Sequence, residues 1–203
     1  MEELRMNDME ISAIGEIANI TMGNAATTLG ILLRDNIEIS VPQVTVKKKE
    51  EIQGEDTEMV ITKVNYVKGI QGCSVMFLTQ DEVKMMADIM MGGDGAGMFF
   101  QQELGELHLS AVSESMNQMM GSEATAMGIM LDRLVDISTP VVKVEKAEKY
   151  LETEFPGETN FAEISFDVHL GAKISCRMVQ VYPFMLAKAI ADLFLIKKAN
   201  EKN

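Results

Sequence analysis

The feature that most constrains this chain is that it repeats itself. Ser12, Glu16, Asn19 and Gly23 recur as Ser110, Glu114, Asn117 and Gly121, each 98 positions later. The same offset carries Ile37-Glu38-Ile39-Ser40-Val41-Pro42 onto Val135-Asp136-Ile137-Ser138-Thr139-Pro140, so the register holds without a gap across this stretch. Four residue types, each used at about one position in fifteen, would recur at a chosen offset in roughly one of 10⁴ to 10⁵ trials. Duplication is therefore the simplest explanation. Further on, Ala87-Asp88-Ile89-Met90 matches Ala191-Asp192-Leu193-Phe194 at an offset of 104, which places six extra residues in the second half, around Tyr150 to Thr159.

Each half reads as one pattern, a long helix, three strands and a shorter helix. Asn7 is a good N-cap with Glu10 three residues on, and the first helix is expected to run to Arg34. Strands follow at Ile37 to Val46, Glu58 to Tyr66 and Gly69 to Leu78, with Val67-Lys68 joining the last two. A helix over Asp81 to Met91 stops at Gly92-Gly93. The second half repeats this with a helix at Glu106 to Leu131, strands at Val135 to Val144, Asn160 to His169 and Ala172 to Val181, and a helix from Pro183 to Lys197. The expected fold class is α+β: a duplicated α-β-β-β-α unit with pseudo-two-fold symmetry, a six-stranded sheet and the two long helices outside. Pro42 and Pro140 interrupt equivalent strands, which suits an edge or a bulge. Lys197 to Asn203 reads as a polar tail or linker.

At about 100° per residue, Ser12, Glu16, Asn19 and Gly23 form one line along the first helix, with Ile14, Ile17, Thr21, Met22, Ala25 and Leu29 on the far side. The second helix sets Val112, Met116, Met119 and Met120 opposite Ser110, Glu114, Asn117 and Gly121. The apolar side should pack on the sheet and the Glu/Asn side should face out. A Glu and an Asn on a solvated helix face need no special explanation. A glycine inside a helix does, since it costs roughly 1 kcal/mol against alanine. Either something approaches the backbone at Gly23 and Gly121, or another helix of the same chain packs there.

Composition narrows the chemistry. A net charge of −13 repels phosphate backbones and argues against nucleic acid as a partner. No apolar run spans a bilayer and Met1 to Glu10 lacks the pattern of a signal peptide, so no membrane insertion is expected and the cytoplasm is the expected location. Cys73 and Cys176 are far apart with no neighbouring metal-binding pattern, and read as reduced structural residues. The 18 Met residues read as core filler at helical spacing. His108 and His169 are isolated, so no nucleophile and base pair up. Gly92-Gly93-Asp94-Gly95-Ala96-Gly97 follows a helix where phosphate-cradling loops follow a strand, and reads as a C-cap and linker. Glu50-Glu51 and Glu55-Asp56 read as a solvated loop. Glu plus Asn can still position other groups, the carboxylate pairing with a cation and the amide holding a water molecule. That is enough for phosphoryl hydrolysis if the partner brings the metal.

The run Ser12-x-x-x-Glu16-x-x-Asn19-x-x-x-Gly23-Asn24-Ala25-Ala26-Thr27 and its copy at Ser110 resemble the signature of the CheC/CheX/FliY phosphatases, which dephosphorylate the chemotaxis response regulator CheY. The similarity spans Asp8 to Lys197. The resemblance implies a single CheC-like domain over residues 1–203, built from repeats at 8–97 and 106–197. It implies that Glu16 and Glu114 pair with a lysine of CheY and that Asn19 and Asn117 orient the attacking water, with Ser12, Gly23, Ser110 and Gly121 as partner-binding positions. No metal or cofactor is expected in this chain itself; Mg²⁺ is expected to come with the bound CheY. Met86-Ala87-Asp88-Ile89-Met90-Met91-Gly92-Gly93-Asp94-Gly95 and Met116-Asn117-Gln118-Met119-Met120-Gly121-Ser122 look most like the rotor-associated branch of the family. In that branch the partners would include the flagellar switch proteins FliM, FliN and FliG, at the cytoplasmic face of the basal body. Its members carry a CheY-binding segment before this domain and a FliN-like domain after it, so the chain resembles either such a middle domain or a shorter CheC-like protein. A non-catalytic CheY-binding or rotor module is the alternative function.

Overall fold

The first helix starts where its capping residues say it should. Asn7 Oδ1 accepts from the Glu10 N–H at 3.0 Å while Glu10 Oε2 accepts from the Asn7 N–H at 2.9 Å, closing a capping box at the head of α1 (Asp8–Leu33). The long helix of the second half, α4 (Glu106–Leu131), is capped differently. The Gly105 N–H donates to Nδ1 of His108, which leaves Nε2–H to donate to the Phe99 carbonyl at 2.8 Å. His108 is thus a brace for a helix start. Both long helices end alike, in left-handed C-caps at Arg34 (φ 54°) and Asp132 (φ 51°). There the Asp35 and Arg133 N–H groups turn back to the Gly30 and Gly128 carbonyls. A Cβ at either glycine would sit 2.9 Å or 2.7 Å from the carbonyl oxygen of Asp35 or Arg133, so the chain turns this tightly only over glycine.

The computed structural model describes residues 5–52, 57–170 and 174–201. Between the long helices lie β1 (Ile37–Ile39), β2 (Gln43–Lys48), a 3-10 turn (Lys49–Glu51), β3 (Glu58–Lys68), β4 (Gly72–Thr79), α2 (Gln80–Met90) and α3 (Met98–Gln101). After α4 come β5 (Asp136–Ile137), β6 (Val141–Lys146), α5 (Ala147–Glu154), β7 (Asn160–Leu170), β8 (Ile174–Pro183) and α6 (Phe184–Glu201). β1 with β2, and β5 with β6, are single strands broken at Pro42 and Pro140. Each break is bridged identically. Ser40 exchanges its N–H and side-chain oxygen with Asp167 at 2.9 and 2.8 Å, and Ser138 does the same with Asn65 at 2.8 and 3.0 Å. Counting each broken pair once, the antiparallel sheet has six strands, with both proline breaks on its outer edges.

The order of those strands interlocks the halves. β1 and β2 of the first half pair with β7 of the second, β5 and β6 of the second pair with β3 of the first, and β4 meets β8 in the middle. The helices cross over too: α1 lies against α4 and α6, and α4 against α2. One face of the sheet is covered by this helical layer, whose core holds Ile14, Ile17, Met22, Leu29, Val112, Met116, Met119 and Met120. The other face is covered by α5 and the 3-10 turn, over Tyr150, Leu151, Phe77 and Phe161.

Several expectations change. α3 and α5 add two helices to the four expected. α5 starts where the first half has its 3-10 turn, and uses the extra residues of the second half to lay Ala147, Tyr150 and Leu151 on the sheet. The join between β3 and β4 is Gly69 to Gln71, since Val67 and Lys68 belong to β3. Pro183 closes β8 and α6 begins at Phe184. The expected polar tail is helical to Glu201. Ala172, expected to open β8, and Glu55-Asp56 lie outside the described residues. Cys73 and Cys176 are buried and free, and burial pushes both thiols up, Cys176 to about 12.

Candidate functional site

Because the far sides of α1 and α4 are packed into the core, the lines Ser12, Glu16, Asn19, Gly23 and Ser110, Glu114, Asn117, Gly121 are left on the outer surface, as their spacing requires. Seven of these residues are exposed and Gly121 is partly so. A Cβ at Gly23 or Gly121 would meet nothing within 4 Å. Packing against another helix of the same chain therefore does not explain these two glycines.

The amides of Asn19 and Asn117 are exposed and take no hydrogen bond from the described residues. The two carboxylates differ. Glu114 accepts from the side-chain amide of Gln118, one turn further along its own helix. Glu16 is met by Lys198 of α6, whose Nζ lies 2.6 Å from Oε1 and 2.5 Å from Oε2. A cleft of about 540 Å³ lies past the end of the first line between Ala26, Gly30, Arg34 and Ile37. The Glu/Asn lines are exposed helix faces, so a reacting group must come to them on a body that supplies its own pocket. Among the described residues no group of three or more His, Cys, Asp or Glu could hold a metal ion.

Each line also extends further than its motif. Thr27 donates to the Gly23 carbonyl at 3.1 Å and Thr125 to the Gly121 carbonyl at 3.0 Å, and a turn beyond each stands an isoleucine, Ile31 and Ile129, 76% and 74% exposed. At the opposite ends Met9 and Leu107 are exposed as well. Sequence reading passed over these four residues, although the 98-residue offset pairs Met9 with Leu107 and Ile31 with Ile129.

The glycine-rich loop is confirmed as a linker, for a specific reason. The Asp88 carboxylate accepts from the N–H groups of Gly95, Gly97 and Phe99 at 2.9 to 3.1 Å. Burial pushes this acid up, but those donors outweigh it and hold Asp88 below the usual carboxylate range. The anion in this loop is thus the protein's own.

A duplicated α+β fold with two exposed Glu/Asn helix lines defines the class, and comparison with known proteins agrees: the chain belongs to the CheC-like family, whose model matches residues 9–46 and again 107–144. Within that family its relatives include FliY proteins. The crystal structure of Thermotoga maritima FliY is 34% identical, with a TM-score of 0.85 over 96% of this chain and 100% of that one. The flagellar motor switch phosphatase FliY of Bacillus subtilis (strain 168) is 37% identical over 199 residues, covering 97% of this chain and 52% of that protein. The chain thus spans about half the length of that curated relative. A chain of the FliG–FliM complex from H. pylori, 13% identical, has the same fold with a TM-score of 0.74 over 92% of this chain and 100% of that one.

Proposed function

We propose that this chain is a phosphatase that hydrolyses the aspartyl-phosphate of the chemotaxis response regulator CheY at the flagellar motor switch, through two sites. The observation that carries the reading is the pair of exposed Glu/Asn helix faces, each with an open glycine one turn past its Asn, on a chain related to a protein named a motor switch phosphatase. An exposed helix face enters a partner's pocket; it does not enclose a small substrate.

In this reading the chain supplies position. Glu16 or Glu114 pairs with a lysine of the partner, which fixes the helix against it. Asn19 or Asn117 then holds a water molecule in line with the phosphorus, its amide both donating and accepting. The water oxygen bonds to phosphorus, the bond from phosphorus to the aspartyl oxygen breaks, and the carboxylate and inorganic phosphate are released with the water's proton. A divalent cation held by the partner neutralises phosphate charge. Gly23 and Gly121 let the partner's surface approach the helix, and Ser12 and Ser110 border the contact. Met9, Ile31, Leu107 and Ile129 add apolar area at its ends. If the chain works within a rotor, FliM, FliN and FliG are the neighbours to test.

The rival reading, a non-catalytic CheY-binding or rotor module, rests on shared fold. A purely gripping surface would use aromatic and arginine anchors, and neither line has one. Phosphate release from phosphorylated CheY should rise clearly above spontaneous decay when the chain is added in catalytic amounts. Decay at the spontaneous rate would leave only the module.

A further inference from the structure

Duplication starts two sites as equals, and the helix beside each should then end alike. It does not. α2 stops at Met90, where the loop wraps around Asp88, while its counterpart α6 runs on to Glu201. At the offset of 104 that aligns these helices, Lys198 corresponds to Asp94. The extension thus brings a cation to Glu16, where the other half has an acid in a turn.

The extension is held in place. Lys197 donates to the Ile129 carbonyl of α4 at 2.9 Å, and the Lys198 ammonium lies 4.8 Å from the centre of the Phe194 ring. Among the described residues no cation pairs with Glu114.

We propose that Lys198 makes the two Glu/Asn sites unequal: it pre-pairs with Glu16 and so competes with the partner's cation at the first site, leaving the second site open. The proposal rests on the phosphatase reading and names the residue that decides which site reacts faster. Glu16 and Lys198 are both nearly half exposed, 45% and 42%. An ion pair at such exposure is worth at most about 1 kcal/mol, so the handicap is about two- to fivefold and the first site is slowed without being closed.

The test uses the full chain with one site disabled at a time. In the Asn117→Ala background, where only the first site works, Lys198→Met should raise kcat/KM for phosphorylated CheY about two- to fivefold. In the Asn19→Ala background it should change nothing. Equal changes in both backgrounds, or a fall in the first, would overturn the proposal. A second measurement needs no turnover: the rate at which a water-soluble acylating reagent modifies Lys198, followed by peptide mass spectrometry, should rise about two- to fivefold on Glu16→Gln as the amine is released. An unchanged rate overturns the ion pair and the proposal with it. A wild-type chain that does not accelerate phosphate release overturns the phosphatase reading instead, whatever the acylation shows.

Discussion

Around Glu16 the second half's last helix closes in, whereas around Glu114 the first half's α2 has already ended in a glycine-rich turn. The contrast runs through the molecule. Ala25 in α1 corresponds to Glu123 in α4, which is buried and accepts from Gln180 and Tyr182, at 2.9 and 2.8 Å. The 3-10 turn of one half is a helix in the other, and Glu10 at one helix start is His108 at the next. The exposed lines, the left-handed caps and the serine bridges at the proline breaks stay matched. Two copies of one unit have thus diverged in their interior and in the helix end beside each line, while the residues of the lines themselves stay matched.

The largest way to break this comparison is to remove both amides. Asn19→Ala with Asn117→Ala should lower kcat on phosphorylated CheY by about a hundredfold or more, the scale of lost positioning, with binding kept within a few fold. Turnover at the wild-type rate would end the water-positioning account. A smaller effect sharpens the contrast between the sites. With the handicap set by Lys198, Glu114→Ala should remove roughly two-thirds to five-sixths of total phosphate release, and Glu16→Ala only about a sixth to a third. Equal losses would restore two equivalent sites.

Glu123 separates the halves by stability. Burial raises its pKa, with the Gln180 and Tyr182 hydrogen bonds opposing. The protonated acid is therefore favoured in the folded state, and its contribution to stability is full below the ordinary carboxylate pKa of about 4.3 and is lost as pH rises beyond it. Glu123→Gln should have little effect near pH 4 and stabilise by on the order of 1 kcal/mol near pH 8, measured by urea unfolding. A gain that does not grow with pH would contradict this. The smallest effect concerns the open glycines. Gly23→Ala and Gly121→Ala should each add a few tenths to about 1 kcal/mol of stability, because nothing opposes the new methyl group, while weakening CheY binding. Stabilised variants with unchanged affinity would show that no partner approaches the backbone there.

The sequence made the long helices legible through Asn7 and Glu10, and the site lines through a repeat whose spacing is helical. The crossing of strands was hidden, because β3 and β7 are equivalent copies. Either could have received β1 and β2 with the same burial pattern, so alternation alone leaves the choice open. α5 was missed because its apolar residues fill less than two turns among charges. Lys198 was missed because a run of lysine, alanine, asparagine and glutamate has no apolar stripe; tertiary contacts from Lys197 and Lys198 hold it in the helix.

Strand exchange has a consequence for the order of events on the ribosome. When the first half emerges, β1 and β2 have no partner. The β7 residues that pair with them are encoded about 120 residues later, on the order of ten seconds at the pace of translation. The outer side of β3 is likewise open until β5 and β6 appear. β1 and β2 are interrupted by the Ser40-Val41-Pro42 kink, which makes them a poor template for a stray strand during that interval. The break at Pro42 that marks one edge of the finished sheet thus protects that edge while the chain's second half is being made.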